Sequence, residues 1–184
     1  MSEILVISGH PDHQSSFAGK SILEELGRLL PAAEIVRLDA LYPNFKIDAA
    51  KEQARLAPAK TLVFEYPFWW YGSPSLMHRY VEQVFTHGYA YGSNGDKLRG
   101  KKLILSFTTG GSKQDYSPSG AQGYDISAFL PPFLAMAKLC GLDFKGSVIS
   151  FSMALIFPDD AERREEIALK AKDHAARLAA LIGS

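Results

Sequence analysis

The side chains able to do chemistry are concentrated in three short stretches, each directly after an apolar run. Ser8-Gly9-His10-Pro11-Asp12-His13-Gln14-Ser15-Ser16-Phe17 follows Ile4 to Ile7. Pro67-Phe68-Trp69-Trp70-Tyr71-Gly72-Ser73-Pro74 follows Leu62 to Phe64, and Thr108-Thr109-Gly110-Gly111 follows Leu103 to Phe107. Hydroxyls beside a helix start suit an oxyanion. A row of aromatic rings suits the face of a planar ligand. Glycines let bare amides approach a ring edge. Together they describe a slot for a flat phosphorylated ring, such as a flavin.

The first stretch joins a strand end to a helix start, where free amides and the helix dipole attract an anion. Ser15 and Ser16 add hydroxyls, and His10 offers a ring N–H to a phosphate oxygen. Neither G-x-G-x-x-G nor G-K-[ST] is present there, so a lone mononucleotide phosphate fits better than a dinucleotide. Ser15 or Ser16 acting only as a helix cap is an equally simple reading. His10 and His13 lack neighbours to complete a ligand set, so no metal is expected.

The aromatic stretch is the most specific signal. Phe68 to Tyr71 are four consecutive large rings, and successive residues at a strand end point in different directions. They cannot all enter one core, and exposed aromatic surface is costly unless a ligand or partner meets it. In the third stretch, amides aimed at a ring edge would stabilise negative charge there, although a plain glycine turn also accounts for these residues. Tyr116, in the polar segment that follows, offers a phenol to the flavin edge or to an incoming quinone oxygen. His78 and His174 sit within helical patterns and need no function. His87 reads as a helix end, where a cation is favoured. Cys140, the one cysteine, reads as a small buried side chain, and a reducing compartment fits.

The elements that must position these loops alternate. The continuous apolar run Ile4–Ile7 predicts a parallel strand covered on both faces. A helix is expected from about Ser16 to Pro31, with Ile22, Leu23, Leu26, Leu29 and Leu30 at helical spacing. Strands follow at 35–38, 61–66, 103–107 and 147–151. Helices are expected at 49–57, after Ser73 as cap and Pro74 as first helical residue, over 126–139 with a break at Pro131-Pro132, and over 158–182. Gly88–Gly100 reads as a loop with exposed Tyr89 and Tyr91. Gly110–Tyr124 is a polar loop long enough to be functional or disordered. Five strands alternating with helices predict an α/β, doubly wound, five-stranded parallel sheet of order 2-1-3-4-5, with ligands at the crevice where the order reverses.

The 184 residues predict a single domain spanning 1–184, since a domain usually takes ~100–200 residues. Twenty basic and twenty acidic residues balance, so nothing in the bulk charge calls for nucleic acid, and the acidic bias of a one-electron carrier is lacking. The small basic run Lys97–Lys102 reads as a solvated turn. No apolar stretch nears the ~18 residues of a membrane span. Met1-Ser2-Glu3 leads into a strand without the order of a signal peptide, so a cytoplasmic location is expected.

In this order and spacing, five segments carry a resemblance. They are His10-Pro11 after the first strand, Leu41-Tyr42-Pro43-Asn44-Phe45-Lys46-Ile47-Asp48, the aromatic stretch, His87-Gly88-Tyr89-Ala90-Tyr91-Gly92, and Thr108-Thr109-Gly110-Gly111. The chain resembles the NAD(P)H:quinone oxidoreductases of the flavodoxin-like superfamily, in the bacterial branch containing the ancillary flavoprotein of the glutathione-gated potassium-efflux system. The resemblance implies FMN, or FAD as in some relatives, with NAD(P)H as co-substrate and a quinone or similar acceptor, reduced by two electrons in a ping-pong cycle. It implies that His10, Ser16, Phe17, Ala18 and Gly19 hold the phosphate and ribityl end. Phe68, Trp69, Trp70 and Tyr71 would line the ring, with Trp70 stacked near it, and Thr108, Thr109, Gly110 and Gly111 would hold the pyrimidine edge. It implies a homodimer in which Tyr91 reaches the neighbour's flavin. It also implies a membrane potassium-efflux transporter as partner, which would hold the protein peripherally at the inner face. Some relatives pair the tyrosine matched by Tyr116 with a histidine six residues later. Gln122 stands there and cannot relay a proton by changing charge.

Overall fold

The computed structural model describes residues 2–184; Met1, the first residue of the N-terminus read above as leader-free, lies outside the described residues. Five parallel strands form one sheet in the order β2-β1-β3-β4-β5. They are β1 (Ile4–Ser8), β2 (Glu34–Arg37), β3 (Thr61–Pro67), β4 (Lys102–Thr108) and β5 (Asp143–Ser150). Register places Ser8 beside Glu65, and Glu65 beside Ser106, at the carboxyl ends of the three central strands.

Strand alternation sends successive side chains to opposite faces, so both faces of β1, β3 and β4 need cover. On one face Val6, Val63 and Ile104 pack with Leu23 and Leu26 of α1 (Phe17–Leu29) and with Ala175 and Leu178 of α6 (Ala161–Gly183). On the other face Leu5, Leu62, Phe64 and Leu105 meet Leu56 of α3 (Ala49–Leu56), Leu76, Met77 and Tyr80 of α4 (Ser75–Val84), and Phe133 of α5 (Pro131–Cys140). A single turn, α2 (Leu38–Leu41), follows β2. Among the described residues no helix is long and apolar enough to cross a membrane.

Several expectations shift. Pro74, not Ser73, occupies the cap position of α4; no side chain caps that helix, and the Ser73 hydroxyl is buried without a partner. β5 begins at Asp143 rather than at 147, because an edge strand is half exposed and carries charged residues where a central strand is apolar. The 126–139 helix is split into a short 3-10 turn at 126–129 and α5 from Pro131. α6 starts at Ala161, capped by Asp160, whose side chain accepts from the amide of Arg163. α4 ends at Val84, so His87 lies beyond its last turn. Tyr89 and Tyr91 are half-buried against the core rather than exposed, and the Tyr89 hydroxyl donates to the carbonyl of Gln53 at 2.9 Å. Within the basic run, Lys101 is partly buried; its Nζ donates to the carbonyls of Ala57 and Ala59. Cys140 is buried and free.

Candidate functional site

At the carboxyl edge of the sheet, the loops after β1, β3, β4 and β5 enclose a cleft of about 240 Å³. One wall is the start of α1, with Ser15, Ser16, Phe17 and Ala18. Ser16 caps this helix, its Oγ accepting from the amide of Gly19 at 3.0 Å. The cap satisfies one first-turn amide. Those of Phe17 and Ala18 have no carbonyl within the helix and remain available to an anion, since helix starts leave such donors unpaired. Capping and anion binding, alternatives in the sequence, are therefore compatible in the fold. The Ser15 hydroxyl is spent on the carbonyl of Asp12 at 2.9 Å.

His10 is buried and does not line the cleft. Its Nδ1 accepts from the amide of Asp12 at 3.0 Å, which assigns the ring proton to Nε2. Its ring meets the Trp69 ring edge-on at 5.1 Å. Burial lowers its pKa, while Asp12 and Asp39 draw it back. His13 falls to about 4, through burial first and the Arg37 guanidinium next. Both rings are therefore neutral at pH 7. Any attraction for a phosphate comes from helix amides and hydroxyls rather than from imidazolium.

Phe68 and Trp69 form the aromatic wall. Between Trp69 and Gly72 the chain reverses through two backbone hydrogen bonds of 3.0 and 3.1 Å. Trp70 and Tyr71 occupy the centre of that turn with φ of 48° and 65°. Positive φ at two consecutive bulky residues costs roughly 1–2 kcal/mol each. The turn sends the rings apart: Phe68 packs on Phe107 and the core, Trp69 is 45% exposed beside the cleft, and Trp70 is 94% exposed. Trp70→Gly is expected to relieve the strain and raise apoprotein stability by about 1 kcal/mol, read from the denaturant midpoint. An unchanged midpoint would show that the turn is not strained.

The opposite wall is built by backbone. Phe68 N donates to Thr108 O at 2.7 Å, joining the second and third loops. Thr108, Thr109 and Gly110 line the cleft, and the Thr109 hydroxyl donates to Gly111 O, closing the turn. Gly111 itself does not line it. Met153, Ala154 and Leu155, in the loop after β5, complete the wall; the sequence reading did not find them. Met153 N donates to Thr109 O and Ser152 N to Gly111 O, both at 2.8 Å. Arg163 pins this loop by donating to the carbonyls of Ser152 and Ala154.

A second hollow of about 180 Å³ shares Phe68 with the cleft and is lined also by Trp70, Tyr71, Tyr116 and Gln122. The Tyr116 ring meets Phe68 at 5.8 Å and Phe151 at 5.9 Å. Burial raises its phenol pKa, with Tyr71 and Asp115 adding to the rise. The long polar loop is ordered through Asp115, whose carboxylate accepts from the amide and hydroxyl of Ser112. The amide of Gln122 donates to Asp115 O at 2.9 Å, which brings Gln122 back beside Tyr116. Tyr91 lies apart from both hollows, against His87 at 5.6 Å. Gly19 is buried in the first turn of α1. Among the described residues no group of His, Cys, Asp and Glu could hold a metal ion.

Helix-start donors, an aromatic wall and backbone amides around one slot fit a phosphorylated planar cofactor, and the fold is that of proteins that hold one at a parallel-sheet crevice. The profile of a family described as having a flavodoxin-like fold matches residues 2–175, and the chain belongs to that family. It is 36% identical over 159 residues to the glutathione-regulated potassium-efflux system ancillary protein KefF of Enterobacter sp. (strain 638), covering 86% of this chain and 87% of that one. General stress protein 14 of Treponema denticola, solved in complex with FMN, superposes with a TM-score of 0.87 at 31% identity, covering 97% of this chain and 99% of that chain. An NADPH-quinone reductase from P. pentosaceus shares the fold, with a TM-score of 0.77 at 20% identity over 95% of this chain and 98% of that one.

Proposed function

We propose that the protein is an FMN-dependent NAD(P)H:quinone oxidoreductase. The observation that carries this reading is the single cleft shared by the start of α1, the Phe68–Trp69 wall and the Thr108–Gly110 amides. The FMN complex of the Treponema denticola relative supports the choice of FMN over FAD. The phosphate would sit on the free amides of Phe17 and Ala18 and the Ser16 hydroxyl, with His10 Nε2 near it. The ring edge would meet the backbone of Thr108 to Gly110, with Gly111 holding that turn.

When bound, the flavin supplies hydride acceptance and donation. The chain's own residues orient, exclude water and stabilise charge. Phe68 and Trp69, which line the cleft, would hold the ring. The second hollow would take the nicotinamide and then the acceptor in turn, as a ping-pong cycle requires. Its walls Trp70, Tyr71 and Tyr116 are aromatic, and the Tyr116 hydroxyl and Gln122 amide are its hydrogen-bond donors to an acceptor oxygen. Two copies of the chain would place Tyr91 of one beside the cleft of the other.

A spectrum of the purified protein tests the reading. FMN should be retained, and anaerobic NADH or NADPH should bleach the yellow colour. Protein that stays colourless after saturation with FMN and FAD would overturn it. Tyr116→Phe should lower quinone turnover about 3- to 10-fold, the worth of one hydrogen bond, with FMN affinity unchanged. Equal turnover would remove its hydroxyl from the reaction. Trp70→Gly should weaken acceptor binding while stabilising the turn.

The similarity to KefF favours a second role that can coexist with the first: ancillary subunit of a membrane potassium-efflux transporter, held at the inner face of the membrane. Co-purification with such a transporter, and altered potassium flux on its loss, are the expected results; a protein that never co-purifies defeats this role.

A further inference from the structure

Glu65 has no counterpart in the site described so far. It lies at the carboxyl end of β3, only 3% exposed, and its Oε2 has no hydrogen-bond partner. Strand alternation places it with Thr61 and Val63 on the face covered by α1 and α6. Its neighbours in register are Ser8 and Ser106. The Ser8 hydroxyl is also buried and unpartnered. The Ser106 hydroxyl is committed to His174 Nε2 at 2.8 Å.

Among the described residues no cation bonds this carboxyl. Around it, His10 and His13 after β1 are neutral at pH 7, and Asp12 in the same loop is an acidic residue rather than a basic one. Lys20 on α1 reaches away to the carbonyl of Gln14. On α6, His174 is held between Ser106 and Ser150, and Arg177 is bonded to Asp173, Ser150 and the carbonyl of Ile149. None of these groups bonds Glu65. A buried unpaired carboxylate is far costlier than its neutral acid. Burial accordingly lifts its pKa to about 7, and the Ser8 hydroxyl, close to the carboxyl but short of a full hydrogen bond, draws it partly back.

Glu65 is also wired to the loop that starts the phosphate site. Its carbonyl accepts from the amide of Gly9 at 2.8 Å, and Ser8, beside it, is two residues before His10. We propose that Glu65 carries a proton beneath this loop and that FMN binding and Glu65 ionisation oppose each other, so that the protein takes up a proton when FMN binds near neutral pH. The inference rests on the flavin reading above. Two negative charges across a partly desolvated sheet end repel, and a bound phosphate dianion therefore holds Glu65 in its acid form. By reciprocity, ionised Glu65 weakens FMN binding by the same factor.

The test is FMN affinity by flavin fluorescence quenching from pH 6.5 to 9, where the phosphate, with its second ionisation near pH 6, goes from about three-quarters to fully charged, a change that by itself favours binding to helix-start donors as pH rises. The dissociation constant should rise about tenfold across this window, because linkage converts a tenfold change in proton affinity into a tenfold change in FMN affinity. Glu65→Gln, which keeps the shape of the neutral acid, should flatten the profile to within about twofold. Calorimetry of the unaltered protein in buffers of different ionisation enthalpy should show proton uptake at pH 7.5, a readout that does not depend on the variant folding. FMN binding with a flat profile, or the same slope in Glu65→Gln, or no proton uptake, overturns the inference and leaves the flavin reading intact. Failure to bind FMN at pH 6.5 overturns both.

Discussion

Alanine at Gly9 is expected to cost the fold roughly 1–3 kcal/mol, the range for forcing one carbon into a packed interior. A Cβ there would lie 2.7 Å from Met77 Cβ and 3.3 Å from Met77 Cα on α4. Neither atom is the free end of a side chain, so either the helix or the loop must move. Met77 is fully buried in the main core, which holds the helix. The loop is the softer partner, although Gly9 N is anchored to Glu65 O. Displacing it tilts His10 and the start of α1, so FMN affinity should fall together with stability. Gly27→Ala is the control. It lies inside α1, with its nearest outside atom, Ile35 Cδ1, at an ordinary 3.7 Å. Alanine there should stabilise by about 0.5–1 kcal/mol through helix propensity and a less flexible unfolded chain. Denaturant midpoints of the two variants moving in the same direction would refute the steric account.

The same contrast explains what could be read from the sequence. Ile4–Ile7 announced a strand covered on both faces because every residue was apolar. β5 was read short because Asp143-Phe144-Lys145-Gly146 alternates as an edge strand does and carries no apolar run. Phe68 to Tyr71 announced a turn whose rings do not all stay in the core, because four large rings cannot share one core. Their individual directions depend on positive φ at Trp70 and Tyr71, which no propensity indicates for such residues. Ser16 was legible as a cap, and the fold leaves the amides of Phe17 and Ala18 beside it without helix partners. Met153 to Leu155 were not legible, because they enter the cleft through backbone hydrogen bonds to Thr109 and Gly111, and backbone leaves no mark in residue type. Glu65 did leave a mark: one carboxylate inside Leu62-Val63-Phe64-Glu65-Tyr66, a strand otherwise apolar on both faces. The neighbouring aromatic run accounts for the strand end without it, which is why residue type alone does not single it out.

That carboxylate sets the fall in stability on the alkaline side of pH 6.5. Glu65 ionises near 4.5 when unfolded and at about 7 when folded, so the folded state holds more protons between those values. Stability is then lost as pH rises through this window, by roughly 3 kcal/mol in total as an upper limit, and the loss is complete above the folded pKa. His174 and His13 act in the opposite sense. Their folded pKa values fall from 6.5 to about 3 and about 4, so stability is lost as pH falls below 6.5. With two histidines opposing one carboxyl below pH 6.5, these groups together place the maximum near that pH and predict a decline toward pH 7.5. Glu65→Gln removes the alkaline branch alone. Urea denaturation at pH 5 and pH 8 should show the variant gaining about 2–3 kcal/mol relative to the unaltered protein between the two, because over that range only the unaltered chain pays for ionising Glu65. An equal pH dependence in both proteins would mean that Glu65 finds a compensating partner in solution, and the proton beneath the phosphate loop would have to be abandoned.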